Sequence, residues 1–220
     1  MKTKIVSSVL SPPADLKLRI LERSRELFFK YGYSRLSMDE LAADLGISKA
    51  TVYRYFPDKE ALLRAVMVET REWVLRQLQT IVRNDRLPVK ARLTAYLEFI
   101  SRFMSGLSRD FIRDLRQKLP DLWKEMDNFR RQQVFPLVSE VILEGVKKGE
   151  IKSDLDGRLF LEMFWYLVQE FMNPDWIIRH DYSPSELLQS IIDIVFYGIF
   201  VEEKSGKMVG RKSSGHRRKK

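Results

Sequence analysis

At 220 residues the chain is long enough for one or two domains with sizeable cores, and 45% hydrophobic with 31% charged residues exclude a disordered polypeptide. The absence of cysteine excludes disulfide scaffolds and thiolate metal sites. A net charge of +9 suggests nucleic acid at first sight, but eight basic residues and no acidic one lie between Lys204 and Lys220, leaving +1 for everything before that tail.

Prolines 12, 13, 57, 88, 120, 136, 174 and 184 fall where helices would begin or end, and between them apolar residues recur at three- and four-residue intervals. The pattern predicts an all-α chain of about nine helices with no strand. Residues 1–14 read as a flexible arm, with too short an apolar stretch (Ile5, Val6, Val9, Leu10) for a signal peptide. The first helix runs from about Asp15 to Tyr31, and two short ones follow near Met38–Leu45 and Lys49–Phe56. Longer helices are expected at about Lys59–Asn84, Val89–Ser105, Arg109–Lys118 and Asp121–Lys148, the last kinked or interrupted by Pro136 and capped by Gly149. Two more follow at about Leu155–Met172 and Ser185–Glu203. The longest apolar segment, Ile191–Val201, is about half of a membrane span and contains Asp193, so the expectation is a cytoplasmic chain with no membrane partner.

The second and third helices carry the strongest signal. Ser37 and Glu40 have capping-box spacing, and Met38, Leu41, Ala42 and Leu45 then form one buried face. Gly46 supplies a left-handed turn and Ser48 caps the next helix, which is helix-turn-helix spacing. On that next helix Val52 and Phe56 point to the core, leaving Ala50 and Arg54 opposite and Thr51 and Tyr53 flanking. A small residue lets the backbone approach bases. Lys49 and Arg54 can reach phosphate or guanine, and Thr51 and Tyr53 can donate to phosphate. Lys59 at the start of the fourth helix is expected to act as a phosphate clamp with free backbone amides.

From Ile20 through Met67 these residues resemble a known family. Leu27-Phe-Phe-Lys-Tyr-Gly-Tyr33, Leu41-Ala, Gly46-Ile-Ser-Lys-Ala-Thr-Val-Tyr-Arg-Tyr-Phe56 and Lys59-Glu-Ala-Leu62 are similar to the N-terminal domain of TetR-type bacterial regulators. The resemblance implies a homodimer on a palindromic operator and a divergent ligand-binding domain that controls DNA binding. It places recognition-helix contacts on Lys49, Ala50, Thr51 and Tyr53, and phosphate contacts on Ser37, Tyr53, Tyr55 and Lys59. Ser48 joins them as the residue opening the recognition helix. Arg54 and Tyr55 depart from the tyrosine and histidine often found there, and Leu36 is larger than the family's usual residue.

The chain then divides into a DNA-binding domain at residues 15–60, a helical-bundle regulatory and dimerisation domain at 61–203, and a basic disordered tail at 204–220. The last two helices are apolar around much of their circumference and need burial on two sides, as in a two-fold four-helix bundle. The interface expected there comprises Phe160, Phe164, Leu167, Phe171, Ile191, Ile194, Val195 and Gly198. Aromatic and sulfur side chains between Tyr96 and Trp176 are expected mainly as core. The resemblance implies an effector pocket drawn from Phe99, Phe103, Trp123, Met126, Phe164 and Trp165. Arg102, Arg109, Arg113 and Arg116 offer an anion site, but Asp110 and Asp114 among them argue for a salt-bridged surface helix.

An enzyme is not expected. There is no glycine-rich phosphate loop, the histidines are His180 and His216, and His180 beside Asp181 reads as a loop residue. No cofactor or metal is implied. The leading reading is a ligand-responsive repressor whose partners are double-stranded DNA, a second copy of the chain and an unknown small, hydrophobic effector. The alternative is a ligand-independent architectural or division-linked DNA binder.

Overall fold

A computed structural model describes residues 14–152, 154, 156–171, 176, 179–180 and 182–196. The arm before residue 14, Gly198 and the basic tail lie outside them, as do the side chains of Phe171 and Val195. The described residues form helices joined by short loops, with no strand, as the spacing predicts.

Helices α1 (Ala14–Tyr31), α2 (Met38–Asp44) and α3 (Lys49–Tyr55) form the N-terminal end. Then come α4 (Lys59–Val82), α5 (Val89–Ser105), α6 (Arg109–Lys118) and α7 (Pro120–Phe129). A π turn over Arg130–Val134 joins α7 to α8 (Phe135–Lys148), and α9 (Gly157–Phe171) and α10 (Pro184–Phe196) complete the described chain. Counting α7, the π turn and α8 as the single helix that the spacing predicts gives nine such elements among the described residues. Within that unit the helix is interrupted next to Pro136, one of the two outcomes expected there. Pro136 has no N–H to donate, and the backbone answers one residue earlier, where the Phe135 N–H reaches back five residues to the Arg130 carbonyl.

Most starts are chemically marked. Asp58 accepts from the Ala61 N–H at 2.7 Å, and Ser108 accepts from the Phe111 N–H at 3.1 Å. At α10, Ser183 and Glu186 make a reciprocal capping box, Glu186 N–H to Ser183 Oγ at 3.2 Å and Ser183 N–H to Glu186 Oε2 at 3.0 Å. Gly149 closes α8 as expected.

Two apolar cores divide the molecule, and they meet inside α4. The first gathers Ile20, Phe28, Leu41, Val52 and Phe56 with Leu62, Leu63, Val66 and Met67 of α4 and Phe111 and Leu115 of α6. The second gathers Val74, Leu78 and Val82 with Leu93, Val138, Ile142, Phe160, Phe164 and Ile191. A rigid 24-residue helix thus belongs to both, and α6 is borrowed from the second half to complete the first.

The last helices depart from expectation. Phe160, Phe164 and Ile191 lie inside the subunit, and Leu167 packs partly buried against the same core. Because α9 lies on α8 and α10 lies on α5 and α9, the register turns these residues inward. The apolar residues turned outward are Leu159, Met163 and Tyr166, at 57%, 56% and 69% exposure, and the expected Ile194 at 80%. Greasiness around the whole circumference does not reveal which stripe faces the subunit's own core.

Candidate nucleic-acid interface and the cavity behind it

Three polar devices build the short helices. Ser37 Oγ accepts from the Glu40 N–H at 3.1 Å while the Ser37 N–H donates to Glu40 Oε2 at 2.8 Å. Those bonds hold the Glu40 carboxyl below its ordinary pKa. Gly46 turns the chain at φ +66° and the Ile47 N–H returns to the Ala42 carbonyl at 3.0 Å, closing α2. Ser48 Oγ then accepts from the Thr51 N–H at 3.1 Å and shares a hydrogen bond with Thr51 Oγ1 at 2.7 Å.

With Val52 and Phe56 buried in the first core, α3 presents Lys49, Ala50, Tyr53 and Arg54 to solvent. Tyr53 is 40% exposed and lies under the Lys49 ammonium, 5.7 Å from its ring centroid. Lys49 also pairs with Asp39 of α2 at 2.7 Å, a bond that raises its pKa. Both partners are exposed, so this pair is worth little and yields readily to a stronger anion. The Arg54 guanidinium lies 5.9 Å from the Tyr55 ring, and Tyr55 itself is half-buried against the core. Thr51 is half-buried at the helix start.

Lys59 has a role the residue pattern did not reveal. Its ammonium donates to the carbonyls of Tyr33 and Leu36, both at 2.9 Å, and sits 4.3 Å from the Tyr33 ring centroid. Desolvation, helped by the nearby Lys118 charge, pulls its pKa down. Lys59 therefore staples the 32–36 loop against α4. The signal that could have found it is the pair Tyr33 and Lys59 flanking the motif, but a lysine at a helix start reads equally as an anion clamp. Arg23 was also missed. It fixes α1 to α2 with a two-point contact on Asp44, at 2.5 and 2.9 Å.

Helix α6 reaches the same loop. The Ser108 N–H donates to the Phe29 carbonyl at 2.8 Å, Asp114 accepts from the Ser34 N–H at 2.7 Å, and Lys118 donates to Ser34 Oγ at 2.5 Å. Asp114 is buried, so α6 is more than a surface helix. The expected surface pairing is present on its outer face, where Arg113 meets Asp110 at 2.6 Å.

The opposite face of α6, through Phe111, Ile112 and Leu115, lines a cavity of about 170 Å³ between the two cores. Of the effector residues expected from sequence, Phe103, Trp123, Met126, Phe164 and Trp165 line it. Phe99 does not. It packs on Trp73 at 5.5 Å instead. The π turn contributes Arg130 and Val134, and desolvation draws the Arg130 pKa down. Among the described residues no group of metal-ligating side chains occurs, and no helix is long and apolar enough to cross a membrane.

A capped helix-turn-helix on a three-helix core, joined through one long helix to a helical body enclosing an apolar cavity, defines a DNA-binding regulator. Residues 20–66 match the family of "Bacterial regulatory proteins, tetR family". The chain is 27% identical over 187 residues to the "Uncharacterized HTH-type transcriptional regulator YvaF" of Bacillus subtilis, covering 85% of this chain and 97% of that one. It is 24% identical over 196 residues to the "Fatty acid metabolism regulator protein" of the same organism, covering 83% and 94%. Its fold is similar to the crystal structure of the B. subtilis transcriptional regulator FadR in complex with stearoyl-CoA, with a TM-score of 0.58, 21% identity, and coverage of 83% and 98%. Residues 20–66 thus carry the DNA-binding domain of the TetR family of bacterial regulators.

Proposed function

We propose that the chain is a repressor that binds a palindromic operator as a homodimer and leaves it when a small, hydrophobic effector fills the cavity. The observation that carries this reading is the double use of α6. One face lines the cavity and the other holds the loop that leads into the helix-turn-helix. A ligand that moves α6 must therefore disturb Ser34 and the start of α2. Effector binding then favours an arrangement of the two recognition helices that no longer matches the operator.

On DNA, α3 enters the major groove. Lys49, Ala50, Thr51, Tyr53 and Arg54 meet base edges or phosphates. Ser37, Ser48 and Tyr55 approach the backbone, where the Ser37 hydroxyl, an acceptor from the Glu40 N–H, can donate its own hydrogen to phosphate. Lys59 acts mainly from behind, with one N–H left for a phosphate. The DNA-binding unit corresponds to residues 15–60 completed by the first half of α4, and the regulatory unit to the remainder through 203. Partner contact through the outward stripe of α9 and α10 would place the two recognition helices about one turn of DNA, roughly 34–36 Å, or a multiple of that apart. An acyl-type effector is supported by the stearoyl-CoA held in the similar B. subtilis FadR structure and accords with the name of the fatty acid metabolism regulator of that organism.

Genome-wide footprinting tests this function. The repressor reading predicts few sites, concentrated near promoters. Many dispersed sites, unchanged by hydrophobic additives, would instead support the architectural alternative.

A further inference from the structure

The cavity has few polar groups, and most are spent. Thr70 donates its hydroxyl to the Val66 carbonyl at 2.7 Å, and Tyr96 donates to the Val134 carbonyl at 3.2 Å. Among the described residues, two guanidinium groups remain in the lining, Arg71 and Arg130, and no acidic side chain lines the cavity. Arg71 reaches a Glu125 oxygen only at 3.6 Å, while Arg64 holds that carboxylate at 2.8 Å. Arg130 opens the π turn, places one terminal nitrogen 3.0 Å from Asp127, and lies over Trp123. Its Nε is shut off from solvent and has no hydrogen-bond partner.

A buried donor on a side chain that stays charged is costly to leave unmade, so it marks where an acceptor belongs. Resting on the reading of this cavity as the effector site, we propose that the effector is a monocarboxylate amphiphile whose head meets Arg130. Its tail lies on the apolar walls, and Arg71 supplies the second positive charge. A neutral lipid would leave the Arg130 Nε without an anionic acceptor and the weakly held Arg71 without a second one. A phosphate dianion would be set against Asp127 and Glu125. The volume, about 170 Å³, slightly exceeds the roughly 150 Å³ of a cavity that takes benzene. That favours a tail of medium length.

The test is calorimetry on the full chain, without DNA, with octanoate and 1-octanol, two probes that share a chain length and differ in charge. Trp123 and Trp165, both on the lining, provide a fluorescence reading of the same event. Octanoate should bind roughly tenfold or more tightly than 1-octanol, as a charge-assisted hydrogen bond requires. Arg130→Met should erase that preference while keeping 1-octanol binding, and Arg130→Lys should retain part of it. Equal binding of the two probes by the unaltered chain would overturn the proposal without reference to any variant. So would an undiminished preference in a folded Arg130→Met protein, or no octanoate binding by a chain that still binds DNA. If octanoate binds as described but leaves DNA binding unchanged, the carboxylate site stands and the release mechanism fails.

Discussion

Tyr53, Gly46 and Lys59 act in three different ways within one motif. Tyr53 is exposed on α3 and lies under Lys49, so Tyr53→Ala should weaken operator binding while the melting temperature stays within a degree or two of the parent. Gly46 has open space where a Cβ would go, so its substitution is penalised by conformation alone. Gly46→Ala should cost about 1–2 kcal/mol in denaturant unfolding. Gly32 combines a φ of +89° with the Asp114 carboxylate 3.0 Å from an added Cβ, and there alanine should cost more. For Lys59, the two carbonyl bonds predict that Lys59→Met lowers stability by about 1–3 kcal/mol, because both acceptors lose a charged donor. A loss of DNA affinity with unchanged stability would restore the phosphate-clamp reading. The sequence revealed the caps and the glycine turn because their partners lie within five residues. It could not reveal the Lys59 bonds, whose acceptors lie 23 and 26 positions away.

Helix α6 and the α5–α8 pairing show what changes at the level of elements. The charge pattern of α6 correctly marked the Arg113–Asp110 pair, yet the same pattern hid Asp114, whose partner Ser34 is 80 positions earlier. Asp114→Ala should leave the Ser34 N–H without its acceptor and cost about 1–3 kcal/mol. Its distinguishing readout is hydrogen exchange, which should quicken in the 32–36 loop before the rest of the core opens. Between α5 and α8, the buried Arg92 donates to Glu144 at 2.6 Å and to the Val82 carbonyl at 2.9 Å. Hydrogen bonds from Arg92 and then Lys148 hold the Glu144 carboxyl down to about 2, from an ordinary 4.5. A depressed acid contributes stability that is complete above its unfolded pKa and lost as pH falls through its folded one. Acid unfolding should therefore steepen between about pH 4.5 and pH 2, and Glu144→Gln should flatten that window. Unchanged acid sensitivity in that variant would discount the pair. Pro136 announced a disturbance in the long α7–α8 unit, but its form as a π turn depends on the Arg130 carbonyl finding the Phe135 N–H, a choice local patterns leave open.

At the scale of the whole molecule, two cores share α4, and α6 belongs to the first while lining the cavity between them, so neither half can repack alone. The sequence placed the greasy helices last and assigned them to a partner, and the structure divides them. Phe160, Phe164 and Ile191 serve the subunit, while Leu159, Met163, Tyr166 and Ile194 remain outward. If that outward stripe joins two copies, Met163→Glu with Ile194→Lys should convert the dimer to monomer in sedimentation equilibrium and weaken operator binding in parallel. Monomer at all concentrations in the unaltered chain would remove the palindrome from the account.

Whether α3 reads DNA as one of a symmetric pair is tested most directly by selection of bound sequences from random double-stranded DNA, run side by side with the unaltered chain and Tyr53→Ala. The expected result is enrichment of a two-fold symmetric site with half-site centres about 34–36 Å, or a multiple, apart, and much weaker enrichment by the variant. An asymmetric site, no enriched site, or equal recovery by Tyr53→Ala would contradict it.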